Sequence, residues 1–130
     1  MDAVGRLNVR VYTSQAQIPV EGATVVVIGK GADGKRKLLS IQVTDSSGSI
    51  TPVVLQTPPE IDSTQPNSPE VPFAVCDVWA EHPGFAVLMV EGVQVFSGVD
   101  TFQAMELTPL AQGQDSLEQA DVREISSQNL

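Results

Sequence analysis

Residues 6–13, Arg6-Leu7-Asn8-Val9-Arg10-Val11-Tyr12-Thr13, alternate apolar and polar side chains without a break. A repeat of two puts Leu7, Val9 and Val11 on one face and Asn8, Arg10 and Tyr12 on the other, which is the signature of a half-buried strand. The next segment repeats the theme. Gly22 opens Ala23-Thr24-Val25-Val26-Val27-Ile28, rich in β-branched residues that pack well on a pleated surface. Its last positions are apolar on both faces, so part of the outer face is expected to be covered.

Working outward, the turns punctuate a series of such strands. Gly29 to Gly34 ends in Asp33-Gly34, a strong hairpin signal. Leu38 to Thr44 reads as a third strand with Leu39, Ile41 and Val43 facing the core. Asp45-Ser46-Ser47-Gly48 is a turn, because Asp bonds its own backbone two residues on and Gly accepts positive φ. Ile50 to Leu55 is a short fourth strand, placed on an edge by Pro52, which has no N–H for a ladder. Phe73 to His82 is the fifth, reversed by Pro83-Gly84. Phe85–Val90, Gly92–Phe96 and Thr101–Leu107 complete the set, with Glu91-Gly92 read as a bulge in one bent strand.

These strands, about seven with turn chemistry between them and no long amphipathic helix, predict an all-β, antiparallel Greek-key sandwich over residues 1–110. Residues 56–72 hold five prolines. A loop of that length in a compact domain is either functional or mobile. Residues 111–130 form an acidic tail, expected to be flexible or loosely docked, with Ser116 and Gln119 offering a capping box for a short helix through Arg123.

The formal net charge of −9 opposes nucleic acid and anionic lipid. Four of the seven basic residues cluster at Lys30, Lys35, Arg36 and Lys37; they read as a solvated turn, with a docking patch for an acidic partner as the alternative. No run approaches the ~20 apolar residues of a membrane helix. The opening MDAVGRLNVRVY has no basic segment followed by an apolar one, so synthesis in the cytoplasm without a signal peptide is expected.

Reactive side chains are sparse. The single cysteine, Cys76, excludes an internal disulfide. Cys76 and the single histidine, His82, lie six residues apart on one strand, roughly 20 Å, and cannot form a Cys–His pair. Cys76 reads as a small buried hydrophobe. One His and one Cys cannot supply a zinc site, and the Asp45 turn offers too few oxygens for calcium. Asp77 and Glu81 share the outer face of strand five at a separation of ~13 Å, too far for a glycosidase pair, so both read as solvated. No catalytic residue, cofactor or metal is expected.

The outward row is more informative. Phe73, Val75, Asp77 and Trp79 form that row, with Glu81 on the same face, and an outward Trp flanked by acids is a contact candidate, because Trp is enriched at binding hot spots. The competing expectation is that loop 56–72 folds over Trp79. Tyr12, on the outer face of strand one, is a weaker candidate.

Several segments, taken in order, carry a family resemblance: Gly5-Arg6-Leu7-Asn8-Val9-Arg10-Val11, Pro19-Val20-Glu21-Gly22-Ala23-Thr24-Val25, Thr44-Asp45-Ser46-Ser47-Gly48, Val78-Trp79-Ala80-Glu81-His82-Pro83-Gly84-Phe85 and Met105-Glu106-Leu107-Thr108-Pro109-Leu110. Their order and spacing over residues 5–110 resemble the carboxypeptidase-regulatory-like family, whose fold is the transthyretin-like (prealbumin-like) sandwich. The chain departs from the family in the proline-rich stretch before strand five. That insertion, with QTPP, PFAVCDVWAEHPGF and VQVFSGV, is similar to a clostridial subgroup whose members stand alone or precede peptidoglycan-binding or spore cortex-lytic modules. The resemblance implies a non-enzymatic structural or interaction module of a bacterial assembly, linked to the spore or cell envelope, that meets a protein partner or a second copy. A peptidoglycan- or glycan-binding module using an outward aromatic is the alternative. Cna-type cousins form an isopeptide bond from a lysine in the first strand, and residues 6–13 contain none.

Overall fold

The computed structural model describes residues 3–14, 16–31, 34–57 and 73–110, together with the backbone of 121–124. Eight strands follow one another: β1 (Ala3–Thr13), β2 (Thr24–Lys30), β3 (Arg36–Val43), β4 (Val53–Thr57), β5 (Phe73–Glu81), β6 (Leu88–Phe96), β7 (Asp100–Leu107) and β8 (Asp121–Glu124). They form two sheets, ordered β4-β1-β7 and β3-β2-β5-β6-β8.

The inner faces of the two sheets enclose one aliphatic core. Leu7, Val9 and Val11 of β1 are buried as their alternation requires, against Val25 and Val27 of β2, Val78 and Ala80 of β5, Val93 and Val95 of β6, and Met105 and Leu107 of β7. Each such side chain removed from water contributes about 1.5–3 kcal/mol. Cutting Leu7 back to Ala should therefore cost about 2–5 kcal/mol. The turn at Asp45 is built as its sequence implies. Asp45 Oδ1 accepts the Ser47 and Ser49 N–H groups at 2.9 and 3.0 Å and the Ser47 hydroxyl at 2.7 Å. Those bonds hold its carboxyl below the ordinary range, the Ser47 hydroxyl contributing most. Gly48 adopts φ +79°, and a Cβ there would overlap the Val11 carbonyl.

Three expectations are corrected. The sandwich is not wholly antiparallel: β1 pairs with β7 in parallel from Arg6↔Asp100 to Thr13↔Leu107, and β6 pairs with β8 in parallel. Alternation fixes which side of a strand is apolar but not the direction of its neighbour.

Second, Ile41 and Val43 point outward and are 60% and 63% exposed. Register is the reason. Buried Val25 sits opposite Gln42 and buried Val27 opposite Ser40, so the polar residues of β3 take the inner side. Gln42 uses that position to bond the backbone of Thr51, donating to its carbonyl and accepting its N–H at 2.9 Å each. A bulge between Val27 and Ile28 then displaces Leu39 onto Gly29, where a Cβ would stand 2.9 Å from a Leu39 methyl.

Third, Arg123 lies in a strand and not at the end of a helix. The edge of β6 offers a ladder of backbone partners, whereas a helix of a few residues is marginal in water. Of loop 56–72, Gln56 and Thr57 complete β4; its remainder, and Ser116 and Gln119, lie outside the described residues.

Candidate interaction surfaces

The outer face of the five-stranded sheet gathers four of the five residues singled out from sequence. Along β5, Phe73, Asp77, Trp79 and Glu81 share one side. Strand register extends that side across the sheet: Ile41 of β3 faces Val26 of β2, Val26 faces Trp79, and Trp79 faces Met89 of β6. Neighbouring strands lie about 4.8 Å apart, so these four residues form one apolar row crossing four strands. Exposed Val43 continues the patch on β3. Trp79 is half-buried within the row and not a projecting ring. Its indole Nε1 is shielded and has no hydrogen-bond acceptor.

Asp77 overturns the expectation of a solvated acid. It is only 3% exposed. The cause is the bulge in β6: between Cys76↔Val93 and Val78↔Val90, two residues of β6, Glu91 and Gly92, oppose the single residue Asp77. Gly92 takes φ +78° there, and its N–H donates to Asp77 Oδ1 at 3.1 Å. The carboxylate thus replaces the ladder partner that the bulge removes. Lys30 Nζ stands 3.5 Å from Oδ1 and Arg36 3.9 Å from Oδ2, so the buried charge is balanced. The sequence showed the bulge, and the basic cluster was visible, but nothing local linked either to Asp77.

The other candidates separate. Phe73 stacks at a tilt on Phe96, ring centres 5.4 Å apart, at the far end of β5. Glu81 is exposed where β5 ends. Tyr12 is half-buried and belongs to the other sheet, opposite Glu106, so it joins none of the rest. Cys76 is enclosed in the core, and burial together with the Asp77 charge pushes its thiol up to about 12. His82 sits beyond the strand end, its Nδ1 2.8 Å from the Pro83 carbonyl and its ring edge-on to Phe85. Among the described residues no three His, Cys, Asp or Glu side chains cluster as metal ligands, and no helix is long and apolar enough to cross a membrane.

Two further surfaces stand apart from that row, and of these only the basic cluster of the second was weighed from sequence. Phe102 is 78% exposed on the outer face of β7, in a shallow cleft with Asn8, Arg10 and Gln103. Parity opposite to that of buried Met105 and Leu107 is the signal that would have placed it outward. The second is a cleft of about 580 Å³ between the start of β3 and β4. Lys30, Lys35, Arg36 and Lys37 border it, and Leu39 and Leu55 contribute apolar wall.

No family model matches this chain, and no curated protein does either. Solved structures do. A point mutant of catechol 1,2-dioxygenase from Acinetobacter radioresistens superposes with a TM-score of 0.58 at 13% identity, covering 95% of this chain and 58% of the enzyme. A second point mutant of the same enzyme gives 0.58 at 12% identity over the same shares. The Bacillus anthracis TIE protein gives 0.47 at 13% identity, covering 83% of this chain and 17% of that one. The chain thus spans less than two thirds of the dioxygenase. At these identities the likeness is one of fold: an all-β sandwich shared with part of the dioxygenase.

Proposed function

We propose that this chain is a non-enzymatic interaction module, a carboxypeptidase-regulatory-like sandwich serving a bacterial assembly of the spore or cell envelope. The observation that carries the reading is the apolar row Ile41–Val26–Trp79–Met89 with Val43 beside it. A solvated sheet face normally presents polar side chains outward. A contiguous apolar patch on a strongly charged chain marks a surface that another molecule covers.

Self-assembly is the version that needs no second component. Sedimentation velocity of the intact chain at rising concentration tests it. Reversible association, abolished by Ile41→Glu together with Val43→Glu, is the expected outcome. Association that persists in the double variant would remove the row from the interface.

Glycan binding is the second reading, favoured by Phe102 and not by Trp79. An open ring flanked by Asn8, Gln103 and Arg10 combines an apolar platform with polar groups for hydroxyls. Titration with muropeptides, followed by NMR of the β7 amides, separates the two readings. Shifts confined to the Phe102 face support a glycan, and their loss in Phe102→Ala would place the contact.

A further inference from the structure

We propose that the Phe102 face binds a saccharide bearing a carboxylate, with Arg10 as the partner of that carboxylate. This ligand class rests on the glycan reading of the face and narrows it. The residues involved share nothing with the apolar row, which lies on the other sheet.

Strand register assembles the face. Asn8, Arg10 and Tyr12 point away from the core because Leu7, Val9 and Val11 point into it. β7 runs parallel alongside, with Phe102 opposite Asn8 and Ala104 opposite Arg10. From the spacing of strands and the rise along them, the Cα atoms of Arg10 and Phe102 are roughly 8 Å apart. The Ala104 side chain is too small to fill the space between them. A cleft of about 470 Å³ opens there, with Ser49 on its far side. Small-molecule sites typically occupy about 300–1,000 Å³.

Three chemical features meet in that cleft. The Phe102 ring is an apolar platform for one face of a sugar. Asn8 donates its amide to the Thr101 carbonyl at 3.4 Å, and Gln103 donates its own to the Ala104 carbonyl at 3.0 Å. The side-chain oxygen of each is thereby the group left to accept from a hydroxyl. Arg10 is exposed and makes no ion pair among the described residues. Arg6, on the same face, is held by Asp100 at 2.8 Å. Asp45 of the adjoining turn accepts the Ser47 and Ser49 N–H groups, and Glu106 sits opposite Tyr12 and not Arg10. A guanidinium receives a carboxylate through two parallel N–H bonds. An unpaired one beside a sugar platform selects an acidic sugar over a neutral one. On a chain of −9, that local cation is what offsets the general repulsion of anions.

The test titrates the intact chain with disaccharides and follows the β7 amide resonances by NMR. N-acetylglucosaminyl-N-acetylmuramic acid and a glucuronic acid–N-acetylglucosamine pair carry the carboxylate; their methyl esters mask it, and the N-acetylglucosamine dimer lacks it. At least one acid should bind about tenfold or more tighter than its ester and the neutral dimer. Its affinity should fall as salt rises from about 50 to about 300 mM. Arg10→Gln should bring the acid down to the level of the neutral dimer, whereas Phe102→Ala should weaken every disaccharide. Ile41→Ser, on the other sheet, should change nothing. Equal binding of acids and neutral forms, or an acid preference that survives Arg10→Gln, would overturn the proposal and leave the glycan reading standing. Binding of no disaccharide would remove both. An acidic peptide that shifts the same resonances through Arg10 while the disaccharides do not would overturn the proposal in favour of a protein partner. Arg10 and Phe102 are both exposed, so the variants should fold, and their thermal transitions check that.

Discussion

Replacing Asp77 by Asn and by Ala should give two different losses of stability. The carboxylate has two separable jobs. Oδ1 accepts the Gly92 N–H released by the β6 bulge, at 3.1 Å. The charge meets Lys30 at 3.5 Å and Arg36 at 3.9 Å. Asn keeps an acceptor oxygen and gives up the charge. Arg36 is more than half exposed and Lys30 one third, and pairs in that range contribute about 0–1 kcal/mol each. Relief from burying a carboxylate offsets part of that, so Asp77→Asn should cost about 1 kcal/mol or less. Asp77→Ala also strands the Gly92 donor inside the sheet, adding about 1–3 kcal/mol. Its total should be about 2–4 kcal/mol, a large share of the roughly 5–15 kcal/mol of a domain this size. Urea unfolding followed by the fluorescence of Trp79, the only tryptophan and two residues along the same strand, reads both variants. Equal losses for Asn and Ala would refute the hydrogen-bond role. Such equal losses would leave the charge, which both variants remove, as the essential element.

Further outcomes follow from other positions. Gly48→Ala should destabilise by about 2 kcal/mol or more, since it needs positive φ and its new methyl would overlap the Val11 carbonyl; calorimetry measures it, and a neutral result would mean the turn relaxes freely. The Cys76 thiol, pushed up to about 12 by burial, should resist a thiol reagent at pH 8 and react on unfolding. An unfolded thiol ionises near 9, so stability from this group is full below pH 9 and lost as pH climbs towards 12. The slope of unfolding free energy against pH across that interval should vanish in Cys76→Ala. Ile41→Ser should change stability by no more than about 0.5 kcal/mol, because its side chain is mostly in water, and chemical denaturation would expose a buried role as a larger loss.

Much of the fold was legible because each strand states its own faces. β1 shows this well: Leu7, Val9 and Val11 are buried where alternation puts them. The Asp45 turn, the hairpin at Gly34 and the bulge at Gly92 were legible because their glycines mark positive φ. What was hidden depends on partners far along the chain. The parallel joining of β1 to β7 spans 94 residues at Arg6↔Asp100, and no local pattern encodes it. Strand β3 was misread for a related reason. Leu39-Ser40-Ile41-Gln42-Val43 alternates perfectly, and alternation is silent on which face is inner when the strand lies on an edge. Gln42 decided it, by finding the backbone of Thr51.

The misreading of β3 and of Asp77 have one physical root, and it bears on function. Sequence reasoning assigns apolar residues inward and acids outward, and on this sheet both assignments fail on the same face. Ile41 and Val43 stand in water while Asp77 is shielded from it. Isolated, each inversion costs stability: an exposed aliphatic forgoes its burial, and an enclosed carboxylate requires balancing cations. A face that combines them is poorly suited to a solvated monomer and well suited to a contact. Burial by a partner would recover the first loss. Lys30 and Arg36, by neutralising Asp77, already remove the charge that would otherwise oppose an apolar neighbour beside Trp79. Those two cations are thereby committed to the outer face, although both also border the neighbouring cleft.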